Sequence, residues 1–185
     1  DDRVQQPSFG RYYITPTRSA RDGLAPVLTV AAEVLSGATG PLYQGLVVEQ
    51  GVAAGAGAYY SGNARDYGRF GFWMAPNRDS DVATMELAMD ALLESILEEG
   101  VDPADVALAQ STIRASLIYA RYSVASLGRR VGTGLVMGLT VEEITGWTNE
   151  VAAVTAADVN AALRFVLERR RSVTGLLLPA EDASL

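Results

Sequence analysis

The residues that could do chemistry are few, and the missing types decide more than the present ones. Among 185 residues there is no His and no Cys, and the fifteen basic residues are all Arg. Without His, the commonest general base and the commonest zinc ligand are gone. Without Cys, thiolate chemistry and disulfides are excluded. Without Lys, Schiff-base chemistry and the phosphate-binding lysine of a P-loop are excluded. Glu142 and Glu143 are adjacent carboxylates of the kind that acid–base catalysis uses. They follow Thr140 at a helix start, where a capping box calls for such carboxylates on structural grounds alone. Ser111, Ser116 and Ser123 fall in helical segments with no base to complete a triad. Gly55-Ala56-Gly57-Ala58 approximates the opening of a dinucleotide-binding loop. Its third glycine is missing, Tyr60 stands near that place, and a second strand follows instead of a helix. A strand of small residues that admits a close neighbour is the better reading. Arg129 and Arg130 read as a solvated helix face.

The elements that would position these residues come from an ordinary globular composition, 49% hydrophobic and 20% charged. The length fits one domain with a real core. The net charge of −7 disfavours a phosphate backbone as partner. No run reaches the roughly 18 apolar residues of a membrane span. Residues 1–10 read as a polar linker with no secretory leader visible, 11–180 as one domain and 181–185 as a tail.

Within the domain, Arg11–Thr15 reads as a strand stopped by Pro16. Leu24–Leu35 reads as a helix with Leu24, Val27, Leu28, Ala31, Ala32 and Leu35 at helical spacing. Pro41 opens a short helix that buries Leu42 and Leu46 and stops at Gly51. Val52–Tyr60 and Tyr67–Ala75 form an antiparallel hairpin, the first strand so rich in Ala and Gly that propensity alone would not predict it. Asp81–Glu99 is amphipathic. Met85, Ala88, Met89, Leu92, Leu93 and Ile96 form its apolar stripe, and Glu86, Asp90, Glu94, Glu98 and Glu99 are expected to face water. Asp102-Pro103 starts the next helix, running to about Tyr122, and another covers about Ser123–Met137. Capping boxes at Thr140 and Thr155 start two more. Ser172–Leu178 is a closing strand. Strands and helices ordered in this way predict an α+β domain of two layers: an antiparallel or mixed sheet with helices on one face.

In this order the segments resemble a known family. Gly40-Pro41-Leu42-Tyr43-Gln44-Gly45-Leu46 leads into Val52-Ala53-Ala54. Gly100-Val101-Asp102-Pro103-Ala104-Asp105-Val106 and Val154-Thr155-Ala156-Ala157-Asp158-Val159 follow, and Ser172–Pro179 closes. The set is similar to the C-terminal, non-catalytic half of the insulinase/pitrilysin-type, processing-peptidase-like zinc metallopeptidases. The resemblance implies a LuxS/mitochondrial-processing-peptidase-like metallohydrolase fold and half of a clam-shell. In that family the catalytic half carries His-x-x-Glu-His. Zinc is therefore expected there, with no cofactor and no catalytic or metal-binding residue in this chain. An Arg and a Tyr of the non-catalytic half often assist catalysis, and Val47 and Ala54 stand at those positions.

The expected function is that of an inactive domain of a bacterial zinc protease. It would form part of the substrate chamber with Val47, Ala54, Tyr59 and Tyr60, and dock to a catalytic half in the same polypeptide or a partner subunit. The resemblance favours a periplasmic or envelope-associated setting. The alternatives are a structural or assembly protein of the same fold and a small-molecule binding domain.

Overall fold

The computed structural model of the chain describes residues 4, 6–77 and 81–179. Strands β1 (Ser8–Thr15), β2 (Ala53–Ser61), β3 (Gly68–Pro76) and β4 (Ser172–Leu177) make one sheet in the order β2-β3-β1-β4, every pair antiparallel. Helix α1 (Leu24–Leu35) packs on β2 and is covered in turn by α4 (Pro103–Arg121), α6 (Val141–Ala152) and α7 (Ala156–Val166). The short α2 (Pro41–Tyr43) continues into a π turn over Gln44–Glu49, and α3 (Val82–Glu99) lies against β3, α7 and that turn. Helix α5 (Val124–Val136) folds back on α4 and α6. The expected α+β architecture, with an antiparallel sheet and its helices on one face, is the observed one. The first strand begins at Ser8, inside the expected linker, because Phe9 is buried in the core. Residues 1–3 and 5 of that linker and the expected tail lie outside the described residues.

The caps at Asp102, Thr140 and Thr155 act as the sequence predicts, and Asp81, expected as the first helical residue, is a cap as well. The Asp81 carboxylate accepts the Thr84 N–H at 2.7 Å, and the Asp102 carboxylate accepts that of Ala104 at 2.7 Å. Thr140–Glu143 and Thr155–Asp158 close reciprocal capping boxes. The small residues of β2 also have a cause. Ala56 and Ala58 are buried on the helix side, and at the end of α1 the Ser36 hydroxyl accepts the Ala58 N–H at 2.7 Å while donating to its carbonyl at 2.6 Å. A larger side chain on that face would hold α1 away from the strand.

One expectation fails instructively. Glu86 and Asp90 of α3 turn inward and are only partly exposed, because they grip Arg11, which is 1% exposed beneath the sheet. Arg11 Nη2 donates to Glu86 at 2.5 Å, Nη1 donates to Asp90, and Nε donates to Thr174 Oγ1 of β4 at 3.3 Å. Arg169 reaches Asp90 from the other side at 2.9 Å. Burial works against the Arg11 charge, but Asp90 and Glu86 outweigh it and hold the pKa above the usual arginine value. Arg130 departs from the expected solvated face as well. It is half-buried and donates to the Ile144 carbonyl at 3.1 Å.

Candidate functional site

The strand registers separate the two faces of the sheet. Phe9, Arg11 and Tyr13 of β1 stand opposite Met74, Phe72 and Phe70 of β3, and all six are buried toward the helices. The alternate residues form the other face. One row across it reads Gly57, Trp73, Gly10, Gly175, and the next reads Tyr59, Gly71, Tyr12, Val173. Apolar side chains stay in the open here: Ile14 is 70% exposed, Val173 69% and Trp73 46%. A bare apolar sheet face of this kind marks an interaction surface.

The aromatic rings lie down on glycines. A Cβ on Gly57 would meet Trp73 Nε1 at 2.7 Å, and one on Gly71 would meet Tyr59 Cζ at 2.7 Å. The rings therefore spread over the sheet instead of standing up from it. Tyr12 and Tyr59 meet edge to face, their centroids 6.5 Å apart. The Arg69 guanidinium rests over both, at 4.9 Å from Tyr12 and 5.6 Å from Tyr59. Partial burial pushes the Tyr59 hydroxyl pKa up, and Arg69 offsets only part of that shift. On one side of Tyr12 lies a depression of about 370 Å³ floored by Gly10 and Gly175 and edged by Trp73. On its other side lies one of about 410 Å³, lined by Ile14, Tyr67, Arg69, Arg171 and Val173.

The four expected chamber residues do not gather in one place. Tyr59 is on the open face. Ala54 is exposed at a bulge, where the β2–β3 register shifts between Ala53 and Gly55. Tyr60 turns to the helix side, packs on the core and donates to the Pro16 carbonyl at 2.8 Å. Its pKa is raised by burial. Val47, in the π turn, is half-buried against the core. Sequence reasoning missed Tyr12, Arg69 and Trp73 as a group. The available signal was the alternation in β3, where Arg69, Gly71 and Trp73 must oppose Phe70, Phe72 and Met74.

The remaining candidates have structural employment or no partners. Glu143 Oε1 accepts from Arg21 Nε at 2.5 Å, and Glu143 Oε2 accepts the Thr140 N–H at 2.7 Å; these bonds, the Arg21 one first, hold the Glu143 pKa at about 2. A carboxylate held so acidic is a poor general base. Ser123 N-caps α5, and Ser111 is exposed in a groove between α4 and α6 with no base beside it. Zinc does not fit these residues. There is no His or Cys, the inward carboxylates Glu86 and Asp90 are neutralised by arginines, and among the described residues no group of three potential ligands converges. A second apolar surface lies at the α4–α5 turn, where Tyr119, Tyr122 and Val124 are each at least 75% exposed.

Comparison with solved structures finds the same fold. A protease from Helicobacter pylori matches with a TM-score of 0.86 at 18% identity, covering 97% of this chain and 42% of its own. The inactive peptidase domain of a protein assigned as a zinc protease in Bordetella parapertussis matches with a TM-score of 0.85 at 19% identity, covering 97% and 94%. The periplasmic protease PqqL of Escherichia coli matches with a TM-score of 0.65 at 17% identity, covering 96% and 19%. This chain thus spans less than half the length of the first and the last. No curated protein matches it. The family model described as the peptidase M16 inactive domain matches residues 1–113, more than half of the sequence, and the chain belongs to that family.

Proposed function

We propose that this chain is the non-catalytic half-domain of a bacterial zinc peptidase. In this reading it forms part of the wall of a substrate chamber and docks to a half carrying His-x-x-Glu-His, in the same polypeptide or in a partner subunit. The observation that carries the reading is the sheet face left bare of helices, floored by glycine and set with Tyr12, Tyr59 and Trp73. A domain with no His or Cys and, among the described residues, no converging set of metal ligands can serve a peptidase through such a surface by confining substrate. Tyr59 and Ala54 belong to that wall. The exposed Tyr119, Tyr122 and Val124 at the α4–α5 turn are the docking surface for the catalytic half. The periplasmic relative supports a place in the cell envelope.

The test is co-expression with the zinc-motif half encoded upstream in the same gene or beside it. Complex formation is read by gel filtration and turnover with a fluorogenic peptide. The expected result is a stable pair that hydrolyses peptide. Ala54→Trp should cut turnover at least tenfold without shifting the melting temperature of this domain, and Val124→Asp should weaken the pair. Failure of such a half to bind would refute the docking. A complex without turnover would favour a structural or assembly role.

A further inference from the structure

We propose that the open sheet face binds an extended peptide segment through an acidic side chain seated at Arg69 and Arg171, with an apolar side chain four residues away lying between Tyr12 and Trp73. This rests on the reading of that face as a chamber wall and names the class of substrate it takes.

The cation comes first. Among the described residues the ion pairs engage Arg11, Arg21, Arg169, Arg170 and Arg171, but not Arg69. An exposed arginine ordinarily sweeps through solvent. Arg69 is instead stacked on two tyrosine rings, so its planar fork is held over the sheet. A fork fixed in this way loses little freedom when it takes a carboxylate in bidentate fashion. Arg171 lines the same depression of about 410 Å³. Its contact with Glu168, at 3.9 Å, is long, and that carboxylate also serves Arg170. The Arg171 guanidinium rests over the Phe165 ring at 5.6 Å, so two cationic side chains border one hollow of a chain whose net charge is −7.

The register supplies the spacing. The row of Arg69 and Ile14 and the row of Trp73 and Gly10 lie four residues apart along β1 and β3. That is about 13 Å at roughly 3.3 Å per residue. An extended peptide running along the strands places residues i and i+4 on one side, at the same separation. Between the two hollows the Tyr12 and Tyr59 rings, folded down over Gly10 and Gly71, keep the surface low, so the peptide backbone would run across ring faces. A carboxylate at i would meet Arg69 and Arg171, and an apolar side chain at i+4 would enter the cleft of about 370 Å³ beside Trp73.

The experiment uses this chain without any catalytic half, at physiological ionic strength. The probe is an acetylated and amidated heptapeptide with Glu and Leu four residues apart in a Ser/Gly background. Binding is followed by tryptophan fluorescence and by anisotropy of a labelled peptide. The expected result is saturable binding that weakens at least tenfold when the peptide Glu becomes Gln or Lys. The same loss is expected for Arg69→Gln, and a smaller one for Arg171→Gln, with unchanged melting temperatures. Should Arg69→Gln unfold the domain, the peptide Glu→Gln exchange on the unaltered chain and Arg171→Gln carry the decision. Equal binding of the Glu and Lys peptides would overturn the proposal. So would equal binding of an uncapped peptide that lacks Glu. A peptidase assembly that turned over peptides with no preference for the acidic one would sink this inference while leaving the chamber reading intact.

Discussion

Arg11→Met asks whether the buried charge cluster organises the sheet–helix contact. The substitution keeps most of the aliphatic stem and removes the guanidinium, together with its stacking over the Phe9 ring. Asp90, whose side chain is 16% exposed, then loses one of its two arginines, while Arg169 still faces it at 2.9 Å. Glu86 keeps only a distant Arg169 contact of 3.8 Å. Removing one partner of a buried ion pair typically costs about 3–5 kcal/mol. The surviving Arg169 contact and the partial exposure of Glu86 place this case near the lower end, at about 3 kcal/mol. For a domain of this size each kcal/mol moves the melting temperature by about 2–4 °C, so the expected drop is about 6–12 °C. Urea denaturation should show a lower midpoint with an unchanged slope. Asp90→Leu in the Arg11→Met background should cost less than the sum of the two single changes, since it removes the carboxylate that the first change stranded. A loss below about 1 kcal/mol for Arg11→Met, or strict additivity in the cycle, would show that the cluster is solvated and that the argument from burial is wrong.

Three further outcomes are expected. Leu93→Ala should cost about 3 kcal/mol and the half-buried Leu92→Ala, which packs over Gly45, about 2 kcal/mol; equal costs under about 0.5 kcal/mol would mean the wrong stripe of α3 has been assigned to the core. Glu143 has a folded-state pKa of about 2 against an ordinary 4.5, so its contribution is present above pH 4.5 and disappears as the pH falls toward 2. Glu143→Gln should therefore flatten the acid limb of stability between those values, and an unchanged pH profile would remove the carboxylate from the account. Calorimetric titration with zinc should show no stoichiometric submicromolar site in this chain, because neither imidazole nor thiolate is available; such a site would mean that its carboxylates alone hold the metal.

Much of the fold was legible because its signals are local. Asp81, Asp102, Thr140 and Thr155 each cap the helix they were expected to start, and Leu24–Leu35 is helical over its whole expected span. Such signals need only the next three or four residues. The site was less legible because the faces of a strand are assigned by parity, and parity is a property of the whole sheet. In Arg11-Tyr12-Tyr13-Ile14, hydropathy alone would bury Tyr12 with Ile14 and expose Arg11. The opposite holds, since acidic residues 75 and 79 positions away receive the arginine.

The same parity divides Tyr59 from Tyr60. Adjacent tyrosines in a strand cannot both line one surface, and the β2–β3 pairing puts Tyr59 opposite Gly71 and Tyr60 opposite Phe70. The bulge beside Ala54 then shifts the alternation, so counting back from Tyr60 would bury Ala54, which is exposed. These departures have one physical origin. A sheet covered on a single face leaves Ile14, Val173 and Trp73 exposed, and the proposed chamber wall gives that exposure a use. The residues least explained by the stability of this chain alone are therefore the ones that argue most directly for what it binds.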